Sequence, residues 1–286
     1  MSVEMKIGAI VQARTSSTRL PEKVLLELPY SSGTTVLQQV IRRLKASEKI
    51  NQIIIATTTD DADDKIINIA KKENVQFFRG SKENVLERYY LAAQENDLDV
   101  IVRITSDCPC IDPEIVDETI SAHLNKKSDY TSNTLIRTFP VGLDVEVLNL
   151  QTLEECYNNA KNDLEKEHVT SYVHNNLDKF KTENVSVKGI DRSQIRITLD
   201  TEEDYALLCS VFDYLYEIDE FFKYEDIIKL FEEKPWLNLI NKKIVAKKSF
   251  ETVDEEFKEA LKILELQELK NVQKFLQESL KKTAKD

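Results

Sequence analysis

Short apolar runs alternate with amphipathic stretches through the first half of this chain. Lys6 to Val11 is mostly apolar, as in a strand buried on both faces of a parallel sheet. Thr34 to Leu44 carries Val36, Leu37, Val40, Ile41 and Leu44 at helical spacing. Asn51 to Thr57 reads as a second buried strand, after which Asp60 and Asp61 offer N-cap chemistry for a helix reaching Glu73. Val75 to Phe78 is a short strand, and Ser81 is expected to cap a helix from Glu83 to Asn96. Asp99 to Thr105 is the next strand. Asp112-Pro113 then opens a helix to Asn125, proline being suited to a first helical turn. This rhythm predicts an α/β fold, a mostly parallel sheet flanked by helices.

From Asp129 the rhythm changes. Tyr130 to Asn133, Asp144 to Leu148, Glu183 to Val187 and Ile195 to Leu199 are short strand candidates. Helices near Leu150 to Ala160 and Glu165 to Asn175 separate them. No linker sets this part off, so it reads as a smaller αβ elaboration on the first half. Asp200 or Thr201 caps a helix over Glu202 to Leu215, and Tyr224 to Glu233 is another. Beyond Pro235 and Trp236 the pattern shifts again. Phe250, Val253, Phe257, Leu261, Leu264, Val272, Leu276 and Leu280 alternate with charges. Their spacing is no clean heptad, so they read as a helix or helical pair docking on its own core, with a homodimer as the alternative. The expected division is a domain over 1–236 and a helical extension over 237–286.

The 286 residues carry a formal net charge of −12, which argues against generic nucleic-acid or anionic-membrane partners. A local cation cluster can still reverse the potential inside one cleft. No apolar run is long enough to span a bilayer, and the N-terminus lacks a signal-peptide layout, so the expected location is cytoplasmic. Of the four cysteines, Cys108 and Cys110 form a C-P-C pair that matches no common zinc framework. With Cys156 and Cys209 they read as reduced, small apolar thiols.

Candidate chemistry begins where the first strand ends. The loop from Gln12 to Pro29 holds Arg14, Arg19 and Lys23, with hydroxyls on Thr15, Ser16, Ser17 and Thr18. Ligands of open α/β sheets bind beyond the carboxyl ends of strands, and such a loop suits a polyphosphate. It is neither a P-loop nor a dinucleotide glycine motif, since the whole chain has five glycines. Asp107 and Asp200 each end a strand candidate, and carboxylates so placed can share a Mg²⁺ ion with substrate phosphates. Taken singly, Asp107 also suits a turn and Asp200 an N-cap. Asp144-Val145-Glu146 alternates like a D-x-D metal motif, with both acids on one face of a strand.

Four separated motifs then coincide: V-Q-A-R-T-S-S-T-R-L-P-E-K-V-L (Val11 to Leu25), V-R-I-T-S-D-C-P-C-I-D-P (Val102 to Pro113), P-V-G-L-D-V-E-V (Pro140 to Val147) with K-E-H-V-T (Lys166 to Thr170), and I-R-I-T-L-D-T-E-E-D-Y (Ile195 to Tyr205). Their order and spacing, over Lys6 to Glu233, resemble the cytidylyltransferase family of the SpsF-type spore-coat polysaccharide proteins. Wider relatives are the synthetases of CMP-activated keto-deoxy sugar acids and CMP-acylneuraminates. The resemblance implies a Rossmann-like nucleotidyltransferase fold that binds CTP and Mg²⁺. Carried over by position, it implies that Arg14, Arg19 and Lys23 hold the triphosphate. Gln12 and Ala13 would lie against the base, with Arg103 nearby. Asp107 and Asp200 would be the Mg²⁺ ligands, and Arg14, Lys23 and Asp107 would act on the reacting phosphates. Asn133, Arg137, Asp144, Glu146, Glu167 and His168 would line the side of a sugar-type acceptor.

The chain departs from the family pattern in places. Glu22 precedes Lys23 where a small residue is common, Lys166 stands where arginine is frequent, and Cys110 replaces an aliphatic residue. The implied reaction is attack of an acceptor oxygen on the α-phosphorus of CTP with release of pyrophosphate. A sugar hydroxyl needs its proton removed, whereas a sugar phosphate needs an extra cation, which Arg137 or Lys166 offers. Two other readings are a glycosyltransferase using Asp144-Val145-Glu146 for its metal, and a non-catalytic nucleotide-binding subunit acting through the C-terminal helices.

Overall fold

Strand β1, Ile7–Gln12, lies in the middle of a seven-stranded sheet. It pairs in parallel with β2 (Gln52–Thr58) on one side and β4 (Val100–Thr105) on the other, and β3 (Gln76–Gly80) adds in parallel outside β2. Beyond β4 the sense reverses. Strand β6 (Glu146–Asn149) is antiparallel to β4, β5 (Tyr130–Ser132) is antiparallel to β6, and β7 (Thr182–Asn184) closes the edge in parallel with β5. The order is β3-β2-β1-β4-β6-β5-β7. This computed structural model describes residues 5–244 and 253–283; residues 1–4 and Phe250 of the sequence patterns lie outside them.

Continuous apolar strands fit because both sheet faces are covered. On one face Ala9, Val11, Ile55 and Val102 join a core with Val36, Val40, Ile41, Leu208 and Phe212 from α1 (Val36–Lys45) and a helix described below. On the other, Ile10, Ile54 and Ile101 meet Tyr89 and Leu86 of α3 (Val85–Glu95). Each fully buried aliphatic side chain contributes about 1.5–3 kcal/mol. Between these helices, α2 is Asp64–Lys72. Helix α4, Pro113–Lys126, starts as expected, with Asp112 accepting from the Glu114 N–H.

Several local expectations are corrected. Asp60 and Asp61 cap no helix with their side chains: a 3₁₀ turn over Asp61–Asp63 intervenes before α2. Asn84, not Ser81, caps α3 by accepting from the Glu87 N–H at 3.0 Å. The helix expected over Glu165 to Asn175 is two short ones, α6 (Asp163–Glu167) and α7 (Ser171–His174), following α5 (Leu150–Asn159). Between them Val169 turns into the core and is fully buried. Strand β6 begins at Glu146 rather than Asp144.

The expected strand Ile195 to Leu199 forms only one isolated bridge, Arg196 with Val141. Its Ile197 and Leu199 N–H groups donate to the Val141 and Asp107 carbonyls, which belong to loops, so no ladder extends. Alternation survives all the same: Ile195, Ile197 and Leu199 are buried, leaving Arg196, Thr198 and Asp200 for the other side. The loop over 140–144 approaches this segment closely at Gly142, which has φ +110° and would place a Cβ 2.7 Å from the Ile197 carbonyl carbon. Only glycine suits both the torsion and the contact.

Helix α8, Glu202–Leu215, is capped by Thr201 in a reciprocal box with Asp204, which leaves the Asp200 carboxylate for other work. Helix α9, Tyr224–Glu233, and a 3₁₀ turn over Pro235–Leu239 complete the first of two compact units, residues 1–241. Leu237 is fully buried, and this unit runs to Asn241, past the expected boundary at 236. The second unit, residues 242–286, contains α10 (Val253–Leu266) and α11 (Lys270–Thr283), a helical pair joined over 267–269. Among the described residues, no helix is long and apolar enough to cross a membrane.

Candidate active site

At the carboxyl ends of β1 and β4, Gln12 and Thr105 stand side by side in register. The loop leaving β1 is tied down at once. Buried Asp63 accepts from the Thr15 N–H at 2.8 Å and the Thr15 hydroxyl at 2.7 Å, and Thr58 also donates to it. The Thr15 hydroxyl is therefore spent inside the protein and is not open to a phosphate. Ahead, Glu22 adopts a left-handed conformation (φ 55°), a 3₁₀ turn spans Lys23–Leu25, and Val24 is buried. This fixes the root of Lys23. Its ammonium donates to Asp107 Oδ2 at 2.7 Å, to Asp200 Oδ1 at 2.8 Å and to the Leu199 carbonyl at 2.8 Å. Thr105 donates to the other Asp107 oxygen at 2.6 Å.

The loop cations and the acidic positions thus meet at one point. Arg19 lies 3.1 Å from Asp200, and Arg14 lies 3.9 Å from Glu167 at the end of α6. Each of the three cations faces a carboxylate. Asp200 also receives Arg196 at 2.8 Å, and Arg196 in turn binds Asp204 with two contacts of 3.0 Å. Asp204 is fully buried, and Asn241 donates to it at 2.9 Å. Burial by itself would raise the Asp200 carboxyl, but Lys23, Arg196 and Arg19 hold it down at about 2. Burial likewise acts to lower the Lys23 ammonium, and Asp107 and Asp200 outweigh it, raising the group above the ordinary lysine range.

This geometry fits a divalent metal. Two carboxylates and a carbonyl, all hard oxygen donors, converge on a single cationic atom, so the Lys23 ammonium acts as a stand-in ion. Among the described residues there is no cluster of three or more acids, histidines or cysteines. Mg²⁺ needs no such cage, because phosphates and water complete its octahedron.

The acceptor-side assignments fare unevenly. Arg137 and Asp144 form a forked pair at 2.6 and 2.7 Å, about a third exposed. Burial first, then the Asp107 and Asp144 charges, push the nearby Cys108 thiol well up. Glu167 is half-exposed, and His168 is exposed at the end of α6. Two of the expected acceptor-side residues lie buried with partners inside the protein. Asn133 is buried, and its amide clamps the following loop by donating to the Leu143 carbonyl at 2.7 Å and accepting from the Val145 N–H at 2.9 Å. Glu146 is buried against Arg103 and accepts from the Tyr130 hydroxyl at 2.9 Å. Both side chains are buried, and each of their polar atoms already has a protein partner. Asp144 and Glu146 each hold a different arginine, and only Glu146 lies within β6.

On the base side, Ala13 is buried and its N–H donates to the Ala56 carbonyl at 3.1 Å. Gln12 approaches Arg103 at 3.4 Å. Arg103 is largely buried, with Glu146 meeting its charge. The C-P-C cysteines are free and buried, and burial raises Cys110 to about 12, so neither is a ready nucleophile. Arg196, Asp204 and Asp63 were not among the expected site residues. For Arg196 the signal was present, since the alternation in I-R-I-T-L-D puts it on the same side as Asp200.

The model of the cytidylyltransferase family matches residues 8–255, further than the Lys6 to Glu233 covered by the motifs. An uncharacterized protein of Methanocaldococcus jannaschii is 36% identical over 255 residues, covering 88% of this chain and 100% of that protein. The spore coat polysaccharide biosynthesis protein SpsF of Bacillus subtilis is 34% identical over 206 residues, covering 71% of this chain and 85% of SpsF. Among solved structures, a cytidylyltransferase from Leptospira borgpetersenii superposes with a TM-score of 0.78 at 36% identity, covering 85% of this chain and 100% of that one. The chain belongs to the cytidylyltransferase family.

Proposed function

We propose that this cytidylyltransferase-family chain transfers CMP from CTP to a sugar-type acceptor, a sugar, sugar acid or sugar phosphate, with Mg²⁺ and with release of pyrophosphate, for surface polysaccharide or glycan synthesis. The observation that carries the reading is the convergence of Asp107, Asp200 and the Leu199 carbonyl on one cation beside the basic loop. Arg14, Arg19 and Lys23 would receive the triphosphate, exchanging their present carboxylate partners for phosphate oxygens. Asp107 and Asp200 would hold Mg²⁺, which when bound supplies charge stabilisation to the phosphates. The Arg14 and Arg19 guanidinium groups would offer paired N–H donors to the phosphate oxygens and to the negative charge that develops as pyrophosphate leaves. The acceptor would enter on the side of the Arg137–Asp144 pair, with Arg137 or Lys166 meeting an anionic acceptor. Relatives point the same way: SpsF is named for spore coat polysaccharide biosynthesis. A glycosyltransferase built on Asp144 and Glu146 gains no support, since each acid is held by its own arginine.

The test is pyrophosphate release from CTP and Mg²⁺ across a panel of sugar acids and sugar phosphates. Release is expected with one acceptor class, and Asp107→Ala should abolish it while leaving the circular dichroism spectrum unchanged. Silence across the panel, or full activity in Asp107→Ala, overturns the reading.

A further inference from the structure

The contacts of Lys23 carry more than phosphate binding. Its ammonium does not point into open solvent awaiting an anion. It occupies the point where the oxygens of Asp107, Asp200 and Leu199 converge, at 2.7–2.8 Å, and its side chain is only 14% exposed. An ammonium and a divalent cation placed there compete for the same oxygens. The wider charge count points the same way. Lys23, Arg19 and Arg196 surround Asp107, Asp200 and Asp204, so three cations match three carboxylates. The cluster is neutral as it stands. A divalent cation arriving alone would leave it net positive in a partly buried setting, where uncompensated charge is costly. A metal arriving with a triphosphate brings its own anion, and that anion gives Lys23 somewhere to go.

We propose that Lys23 is a built-in placeholder cation: it occupies the Asp107–Asp200 site when no nucleotide is bound and vacates it to the triphosphate, so that divalent metal and nucleotide bind cooperatively. This rests on the reading of Asp107 and Asp200 as metal ligands. The turn around Lys23 suits such a swing. Buried Val24 pins the backbone, leaving only the flexible lysine side chain to move. Arg196 cannot follow, because Asp204 and, through Asp204, Asn241 hold it in place. It therefore keeps one oxygen of Asp200 aligned while the other changes partner. By linkage, the factor by which nucleotide tightens metal binding equals the factor by which metal tightens nucleotide binding.

The experiment measures Mn²⁺ binding to the full chain by loss of the free-ion paramagnetic resonance signal, with and without CTP and with no acceptor present. In the natural protein, CTP is expected to tighten Mn²⁺ binding about tenfold or more, the scale of one close charge pair. Lys23→Met and Lys23→Gln should each bind Mn²⁺ about tenfold more tightly without nucleotide, with the CTP enhancement shrinking by a similar factor. Lys23→Arg, which keeps the charge, should retain weak nucleotide-free binding. Thermal unfolding gives a second readout, because Mn²⁺ alone should raise the melting temperature of the neutral variants more than that of the natural protein. Neutral variants that bind Mn²⁺ no more tightly than the natural protein overturn the placeholder role. If Asp107→Asn and Asp200→Asn still remove Mn²⁺ binding in the presence of CTP, the proposed metal ligands survive that failure. If both carboxylate variants keep CTP-dependent Mn²⁺ binding, the ligand assignment itself falls and the placeholder role falls with it.

Discussion

Glu146 shows how one side chain can match a functional pattern and serve the core instead. It faces Arg103 directly across the antiparallel β4–β6 pair, and its other oxygen accepts from Tyr130. Burial would raise its carboxyl, and Arg103 with its hydrogen-bond donors brings it below the ordinary glutamate range. Arg103 has few other partners, its Nε having none. Removing the carboxylate would strand a buried guanidinium. Glu146→Ala should therefore lower the unfolding free energy by about 3 kcal/mol, as measured by urea denaturation. Unchanged stability with a raised KM for the acceptor would instead return Glu146 to the acceptor site. The sequence shows Asp144 and Glu146 as alternating acids, but the arginine that claims Glu146 lies 43 residues away. Only the reversed strand pairing brings them together, and local periodicity carries no trace of it.

Between elements, the decisive joint is where the start of α2 meets the loop after β1. Asp63 sits in a 3₁₀ turn and accepts from Thr15 and Thr58, two residues that follow or end separate strands. Burial pushes its carboxyl up, but these donors prevail, and its value in the folded protein lies below the ordinary aspartate range. A carboxylate whose value is lowered by folding stabilises the fold fully above its unfolded value, about 4, and loses that contribution as pH falls through the lower folded value. Asp63→Asn should thus cost about 1–3 kcal/mol at pH 7, with the gap to the natural protein narrowing below about pH 4. Urea unfolding at several pH values measures this, and a gap independent of pH would contradict the assignment. The α2 segment was legible as a helix from the acidic residues before it, although the Asp60 and Asp61 side chains do not cap it. Its use as the anchor of the basic loop was not, because Thr15 and Asp63 are 48 residues apart. The same holds at the site's centre, where Lys23 meets Asp107 and Asp200 over separations of 84 and 177 residues. Residue types and strand-end positions marked all three, yet the contact that turns them into one cluster depends on the completed sheet.

For the whole molecule, the parallel half was legible because buried strands there must be apolar throughout and the helices between them must be amphipathic. The half beyond β4 was less so. Its strands are three or four residues long, and the segment that delivers Asp200 is held by loops instead of a ladder. The first unit runs past the expected boundary for a related reason. Pro235 and Trp236 look like the close of a domain, but the chain goes on to bury Leu237 and to bring Asn241 back to Asp204. These last residues brace the site, since Asp204 holds Arg196 and Arg196 holds Asp200. Two shortened chains separate the alternatives. A chain ending at residue 244 keeps Leu237 and Asn241. One ending at residue 236 exposes the core that Leu237 covers, a loss of about 2 kcal/mol, and removes a partner from buried Asp204 at a further cost of about 1–3 kcal/mol. The 236-residue chain should therefore melt well below the 244-residue chain, and its CTP-dependent pyrophosphate release should fall with the loosening of Asp200. Equal melting temperatures would show that the first unit is complete without its last turn, and equal activity would show that Asp200 does not depend on the brace from Asn241.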